Sequence, residues 1–388
     1  MLFSRKLIMA AMCVVGAVSG APATAAQHVS LKGSFQLKVL AMKTQHAGWA
    51  VGTHAILVTN DGGRQWQNVT PPHVRIHATG PVPISQSTVG AVWDFRTAQS
   101  AWVVTSVNTA QGTFLLNYST STGRHWTHIP FRLNEETPGP DSSIMIGSHP
   151  VEVDFVNPRV GWLLISPGAA GPQFPIELWQ TTTGGHTWHR VYATNALGGM
   201  VSFTNTTSGW LVVPQPSNTQ QTLFQLKRTT TSGRTWQSVA VPTLPTFQNI
   251  AGSCGIMMGW QGTSGLIPGD TPNMPNGGYA AVLRTTNGGR RWFLSPKLYG
   301  RGPGFFTVDT AGATVWAANN GRLETLGAHG QRWIQQSRPS FLRKSTGLDV
   351  VNRSVGFVWQ NTTEGVHMWR STDAGTRWTP MISKILPS

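Results

Sequence analysis

The sequence predicts an all-β fold, a seven-bladed β-propeller of four-stranded antiparallel blades, and three observations predict it. An eight-residue box recurs in chain order: TNDGGRQW (59–66), STSTGRHW (119–126), TTTGGHTW (181–188), TTTSGRTW (229–236), TTNGGRRW (285–292), the worn copy LGAHGQRW (326–333) and STDAGTRW (371–378). A Gly-Trp pair or a variant of it precedes each box, at Gly48-Trp49, Ala101-Trp102, Gly161-Trp162, Gly209-Trp210, Gly259-Trp260, Val315-Trp316 and Gly356-Phe357. The composition, 11% charged with 43 glycines, 25 prolines and 17 tryptophans, suits short strands and many turns rather than helices.

The tryptophans that close the boxes are spaced from 41 residues (Trp292 to Trp333) to 62 residues (Trp126 to Trp188) apart. Repetition at such a period is the mark of one supersecondary unit per repeat. The fourth unit shows its parts: GMVSFTN alternates as a strand, TTSG turns, WLVV is a second strand, and LFQLKRTT, the box and RTWQSVAV make a hairpin. One such sheet cannot bury its own faces, whereas several arranged radially do so and leave only short edges.

Each part of the box has a physical role. The fifth-place glycine (Gly63, Gly123, Gly185, Gly233, Gly289, Gly330, Gly375) supplies a backbone angle that other residues resist. The Asp, Asn, Ser or Thr at the third place is expected to accept hydrogen bonds from turn amides. The tryptophan is large enough to wedge between neighbouring sheets. The box is thus read as a fastener without chemistry of its own.

Residues 1–26 read as a secretory signal: Arg5 and Lys6, the apolar run Leu7 to Val18, and the small-residue site Ala23-Thr24-Ala25. A retained membrane anchor is the alternative, although the apolar run is short for spanning. Residues 27–388 are then a single propeller, secreted or held in the envelope and expected as a monomer. Its two ends must meet to close the ring, with residues 28–38 adding an outer strand beside the last blade. Beyond the signal only Cys254 remains, so no internal disulfide forms and cysteine-rich metal sites are excluded.

The 29 Lys and Arg against 14 Asp and Glu give a net charge of +15. Such a balance favours anionic partners, or else adapts a secreted chain to an acidic medium. Nucleic acid is not expected, because the cations are scattered and no recognition helix is apparent. Membrane association is expected only peripherally or through an uncleaved signal.

The pattern S/T-x-D-x-G-x-T-W resembles the Asp-box of sialidase-like propellers. Coupled to the Gly-Trp strands, the chain looks most similar to the propellers related to the photosystem II stability and assembly factor, over about residues 35–388. Only Asp61 and Asp373 keep the aspartate; Ser121, Thr183, Thr231, Asn287 and Ala328 replace it elsewhere. The resemblance implies a propeller and help in assembling a membrane complex; it also raises glycoside hydrolysis.

Glycoside hydrolysis wants two acidic groups flanking the bond, or a tyrosine nucleophile with an acid and an arginine cluster. The chain has few acids, four tyrosines (Tyr118, Tyr192, Tyr279, Tyr299), and only Arg75-Ile76-His77 near an Arg-Ile-Pro signature. No serine elbow, metal-binding histidine pair or phosphate loop is present, and His73, His77, His125 and His128 read as solvated. The five Asn-x-Ser/Thr triplets are ordinary products of Thr-rich turns. The expectation is a non-catalytic binding or assembly platform for a protein or an anionic cell-surface polymer, without cofactor or metal; the alternative is a carbohydrate-active hydrolase.

Three residue sets are candidates. Asp94, Asp154 and Asp349 each lie eight residues before the aromatic of the next Gly-Trp position, and Ser202 holds the same place in the fourth unit. They fall on innermost strands around the channel, where backbone satisfaction competes with catalysis or ion binding. The loops between second and third strands and between blades share one face, and their long segments 70–90, 131–150, 167–175, 214–221 and 262–278 are favoured for binding. Phe131, Arg132, Ile144, Met145, Phe174, Leu266, Ile267 and Met274 are its candidates. On the opposite face the boxes carry Arg64, Arg124, Arg234, Arg290, Arg291, Arg332 and Arg377, a possible basic rim.

Overall fold

The computed structural model describes residues 35–72, 74, 91–108, 112–133, 149–166, 175–196, 199–215, 221–242, 247–248, 259–261, 264–270, 279–300, 306–327, 330–381 and 383–386. Each sheet is built on four antiparallel strands in chain order, and three sheets add a short fifth: Lys384–Leu386 in the first, Phe247–Gln248 in the fourth and Leu298–Tyr299 in the fifth. The first sheet holds Leu37–Met42, Gly48–Gly52, Ile56–Thr59 and Gln65–Asn68; the second Ala91–Phe95, Ala101–Asn108, Thr113–Ser119 and Thr127–Arg132. The third holds His149–Phe155, Gly161–Ser166, Pro175–Thr181 and His189–Asn195; the fourth Met200–Phe203, Gly209–Gln215, Gln221–Thr229 and Gln237–Val239. The fifth holds Gly259–Gln261, Ser264–Asp270, Tyr279–Thr285 and Phe293–Leu294; the sixth Phe306–Ala311, Thr314–Asn319, Arg322–Leu326 and Trp333–Ser337. The last holds Gly347–Val350, Gly356–Thr362, Gly365–Ser371 and Thr379–Met381. Among the described residues the only helix is the short 3-10 turn Ser340–Lys344.

The first strands stand side by side: His149–Phe155 lies between Ala91–Phe95 and Met200–Phe203, and Gly347–Val350 between Phe306–Ala311 and Leu37–Met42. The chain is an all-β propeller of four-stranded antiparallel blades. Seven equivalent blades are not what forms. Six sheets repeat the predicted unit, with the Gly-Trp position on the second strand and the box joining third to fourth. In the fifth sheet Gly259 and Trp260 fall on the first strand, paired with Leu266 and Gly265. The expected loop 262–278 is consequently corrected: Ser264–Asp270 is a strand, and it lies beside Phe306–Ala311 of the next sheet.

The boxes close as their chemistry dictates. The first-place hydroxyl accepts the fifth-place glycine amide, as in Thr59 with Gly63 (3.0 Å) and Thr181 with Gly185 (2.9 Å). The third-place oxygen accepts amides further on: Asp61 Oδ1 those of Arg64 and Gln65, Ser121 Oγ that of His125, Thr183 Oγ1 that of Thr187. The worn sixth box begins with Leu326, which has no hydroxyl, and its turn uses backbone bonds instead, Gly330 to Gly327 O and Gly327 to Arg332 O. The fifth-place glycines have positive φ, and at Gly289 (φ 77°) a Cβ would also lie 1.9 Å from the Trp210 ring.

Aromatic rings join sheet to sheet. The Gly-Trp tryptophan of one sheet stacks on the phenylalanine ending the first strand of the next: Trp49 on Phe95, Trp102 on Phe155, Trp162 on Phe203. The box tryptophan then closes on the preceding sheet, Trp126 against Trp49, Trp292 against Trp210 and Trp378 against Trp316. Burying rings of this size against each other supplies cohesion that no single sheet has.

Ring closure differs from the expectation. Residues 28–34 lie outside the described residues, and Leu37–Met42 is the innermost strand of the first sheet rather than an outer strand of the last. The C-terminal strand Lys384–Leu386 instead pairs in parallel with Gln65–Asn68, the outer strand of the first sheet. The Leu37 amide donates to Asn361 Oδ1 (2.9 Å), and Trp359 Nε1 donates to the Leu37 carbonyl (3.1 Å), so the first and last sheets share one core.

Candidate functional site

The first strands place four predicted residues in register with the aromatic of the next strand: Asp94 opposite Trp102, Asp154 opposite Trp162, Ser202 opposite Trp210 and Asp349 opposite Phe357. All four are buried. A fifth residue belongs to the set and was missed: Asp309, opposite Trp316. It lies seven residues before its aromatic instead of eight, because its hairpin turn is shorter. Counting from strand register rather than from a fixed spacing would have found it.

Each aspartate reaches across to the neighbouring sheet. Asp94 Oδ2 accepts the Phe155 amide (2.9 Å), Asp154 Oδ2 that of Phe203 (2.6 Å) and Asp349 Oδ2 that of Met42 (3.0 Å). Asp309 Oδ2 accepts the Val350 amide in the same way. Glu152 adds a second bond between the third and fourth sheets, accepting the Val201 amide (2.6 Å). In the first sheet the equivalent position, opposite Trp49, is Ala41, which has no such group.

At the second and third sheets these bonds merge with a charge cluster. Arg96, two residues after Asp94, brings Nη1 to 3.6 Å from Asp154 Oδ1. Burial pushes the Asp94 carboxyl up to about 6, and Asp154 adds to the rise; Arg96, the Phe155 amide and Lys43 pull the other way. Arg96 Nη1 is buried and makes no hydrogen bond. Asp94 can therefore keep a proton to a higher pH than an ordinary carboxyl, with a second carboxyl and a guanidinium beside it.

Strand direction puts this cluster at one end of the axis. First strands run towards the turns that join them to second strands, and those turns share a face with the boxes. Backbone bonds tie the two kinds of turn together: Gly62 N to His46 O, Thr122 N to Gln99 O, Gly184 N to Arg159 O, Ser232 N to Thr207 O and Ala374 N to Ser354 O. Arg64, Arg124, Arg234, Arg290, Arg291, Arg332 and Arg377 are all exposed on that face.

The long-loop set does not come together. Phe131 is not a surface contact: it lies in the outer strand Thr127–Arg132, 6% exposed, packed on Phe114 and Trp188. Alternation along that strand turns Phe131 inward and leaves the next residue, Arg132, exposed. Leu266 and Ile267 lie on the strand Ser264–Asp270 instead of in a loop. Ile144, Met145, Phe174 and Met274 fall outside the described residues. Among the described residues no helix is long and apolar enough to cross a membrane.

Comparison with known proteins places the fold. No family model matches the chain, and no curated protein matches it. Solved structures do. An ancestral GH74 enzyme is 12% identical with a TM-score of 0.45, covering 89% of this chain and 48% of its own. The PL25 ulvan lyase bound to a GlcA-Rha3S unit is 11% identical with a TM-score of 0.46, covering 79% and 84%. A prolyl endopeptidase is 11% identical with a TM-score of 0.51, covering 92% and 49%. The shared feature is the fold. The chain spans about half the length of the GH74 enzyme. Glycoside hydrolases and a polysaccharide lyase are among the structures of like fold, so the expectation that this chain is not an enzyme is withdrawn: the fold gives no ground for it.

Proposed function

We propose that this chain is an exported propeller, closed by the fifth sheet as a seventh blade and akin to the Asp-box propellers, that acts as a carbohydrate-active hydrolase. The observation that carries the reading is Asp94, held protonated to about pH 6 beside Asp154 and Arg96 at the axis. In this reading Asp94 donates the proton to the departing glycosidic oxygen as the C–O bond breaks, and Asp154 takes a proton from the water whose oxygen forms the new bond to the anomeric carbon. The hydrogen bonds to Phe155 and Phe203 fix both carboxyl groups through Oδ2, so neither has rotamer freedom to lose on binding substrate. Arg96 sets its guanidinium 3.6 Å from Asp154 Oδ1, a cation beside the second carboxyl. Substrate approaches from the box face, where Lys43 and Arg96 follow the ends of their strands.

The test is hydrolysis of a panel of fluorogenic glycosides and uronides by the native chain and by Asp94→Asn, Asp154→Asn and Asp349→Asn. The first two variants should lose on the order of 100-fold or more, as for removal of an acid–base group. Asp349→Asn, which bridges sheets but has no part in the cluster, should retain activity. No turnover of any member by the native chain, or equal loss in all three variants with folding intact, would overturn the reading.

A further inference from the structure

The box face of this molecule is strongly cationic. The boxes and the described turns joining first to second strands carry ten arginines and one lysine against two aspartates, Asp61 and Asp373, while the whole chain carries 29 cations against 14 acids. Even those two aspartates are engaged: Asp61 Oδ1 accepts the Arg64 and Gln65 amides, and Asp373 Oδ1 that of Arg377.

The neutral boxes explain how this charge arises without cost to the turn. Ser121, Thr183, Thr231 and Asn287 accept the same turn amide as the aspartates, at 2.9 to 3.0 Å. The turn therefore closes equally well with no negative charge, and the arginines beside it are left without a local carboxylate to balance them. A second observation points the same way. Arg370, one residue before the last box, has its Nε buried without a hydrogen-bond partner. Burial and the neighbouring Arg64 both hold its pKa below the ordinary arginine value. Two guanidinium groups set close together are an arrangement that an incoming anion relieves.

We propose that the box face is the docking surface for an acidic polysaccharide, its carboxylates held by the exposed box arginines while the chain crosses the axis above Asp94 and Asp154. The planar guanidinium fork matches carboxylate oxygens in pairs. Arg291, with its guanidinium 4.9 Å from the exposed Phe293 ring, sets a cation beside an apolar surface on the same face. The saccharide part of this inference rests on the hydrolase reading; the anionic part rests on the face itself.

The test measures binding and not turnover, so failure of the hydrolase reading leaves its outcome legible. The full chain is titrated with polygalacturonate, with neutral dextran of similar length and with double-stranded DNA, at low and high salt. Arg64→Gln/Arg124→Gln/Arg234→Gln removes three box cations; Arg132→Gln/Arg343→Gln/Lys344→Gln removes three exposed cations from the opposite face. Polygalacturonate should bind at low salt, weaken steeply with added salt, and lose about tenfold in affinity in the box variant but less than about twofold in the control. Dextran should not bind. Equal loss in the two variants, binding of dextran, absence of polygalacturonate binding, or tighter binding of DNA than of polygalacturonate would each overturn the proposal. Circular dichroism of both variants checks that the blades remain folded.

Discussion

Asp154 on the third sheet accepts a 2.6 Å hydrogen bond from the amide of Phe203 on the fourth, and its side chain is fully buried. The same Phe203 ring lies flat on Trp162, with centroids 3.4 Å apart and planes 1° from parallel. One residue step in each first strand thus carries both the polar and the apolar link between neighbouring sheets. That coupling makes the interface between sheets the sensitive part of the fold.

Asp154→Ala should destabilise the chain by about 1–3 kcal/mol, because the Phe203 amide would be left buried and unpaired. Asp154→Asn keeps an acceptor and should cost less. Chemical denaturation of both variants checks the order; a smaller loss for alanine than for asparagine would contradict the bridging role.

The box tryptophans are not equivalent. Trp66 is 1% exposed and packs with Trp359 and Met368 of the last sheet, whereas Trp236 is only half-buried. Trp66→Ala should cost about 3–5 kcal/mol, as for other buried aromatics, and Trp236→Ala less. Arg234→Ala, exposed on the turn, should stay within about 0.5 kcal/mol. Thermal melts of the three variants give the ranking.

Asp94 sets a pH dependence with a definite sign. Its folded-state pKa is raised from the ordinary 3.8 to about 6, chiefly by burial, so the folded state binds the proton more tightly than the unfolded chain. The stabilisation is complete below 3.8 and is lost as pH rises through about 6. Asp94→Asn should abolish this fall while leaving the contributions of other groups. Melting temperatures of both proteins across that window check it; parallel curves would show that Asp94 does not titrate there.

Backbone conformation in the boxes gives a further test. Ala374 occupies the fourth place of the last box at φ 63°, where other boxes place Gly62, Gly184 or Gly288. Ala374→Gly should relieve left-handed strain and stabilise by up to about 1 kcal/mol. Gly289→Ala should do the reverse and by more, since its Cβ would meet Trp210. Melts of these two variants should move in opposite directions.

The local devices of this protein were determined by its sequence. Box, Gly-Trp strand and alternating pattern are each decided within about ten residues, where turn chemistry and side-chain period operate. So the hairpin at Thr59–Trp66 and the inward aspartates at Asp94, Asp154 and Asp349 could be read directly. Tertiary structure decided what depends on distant segments meeting. The register of the fifth sheet, which moves Trp260 to the first strand, depends on pairing across a long and variable stretch. Closure by Lys384–Leu386 beside Gln65–Asn68 joins the two ends of the chain, a contact that no local pattern encodes. The burial of Phe131 depends on Phe114 and Trp188 arriving from two different hairpins. The rise in the Asp94 pKa comes first from the exclusion of water and then from Asp154 on another sheet, and desolvation is a property of packing that a linear spacing does not carry.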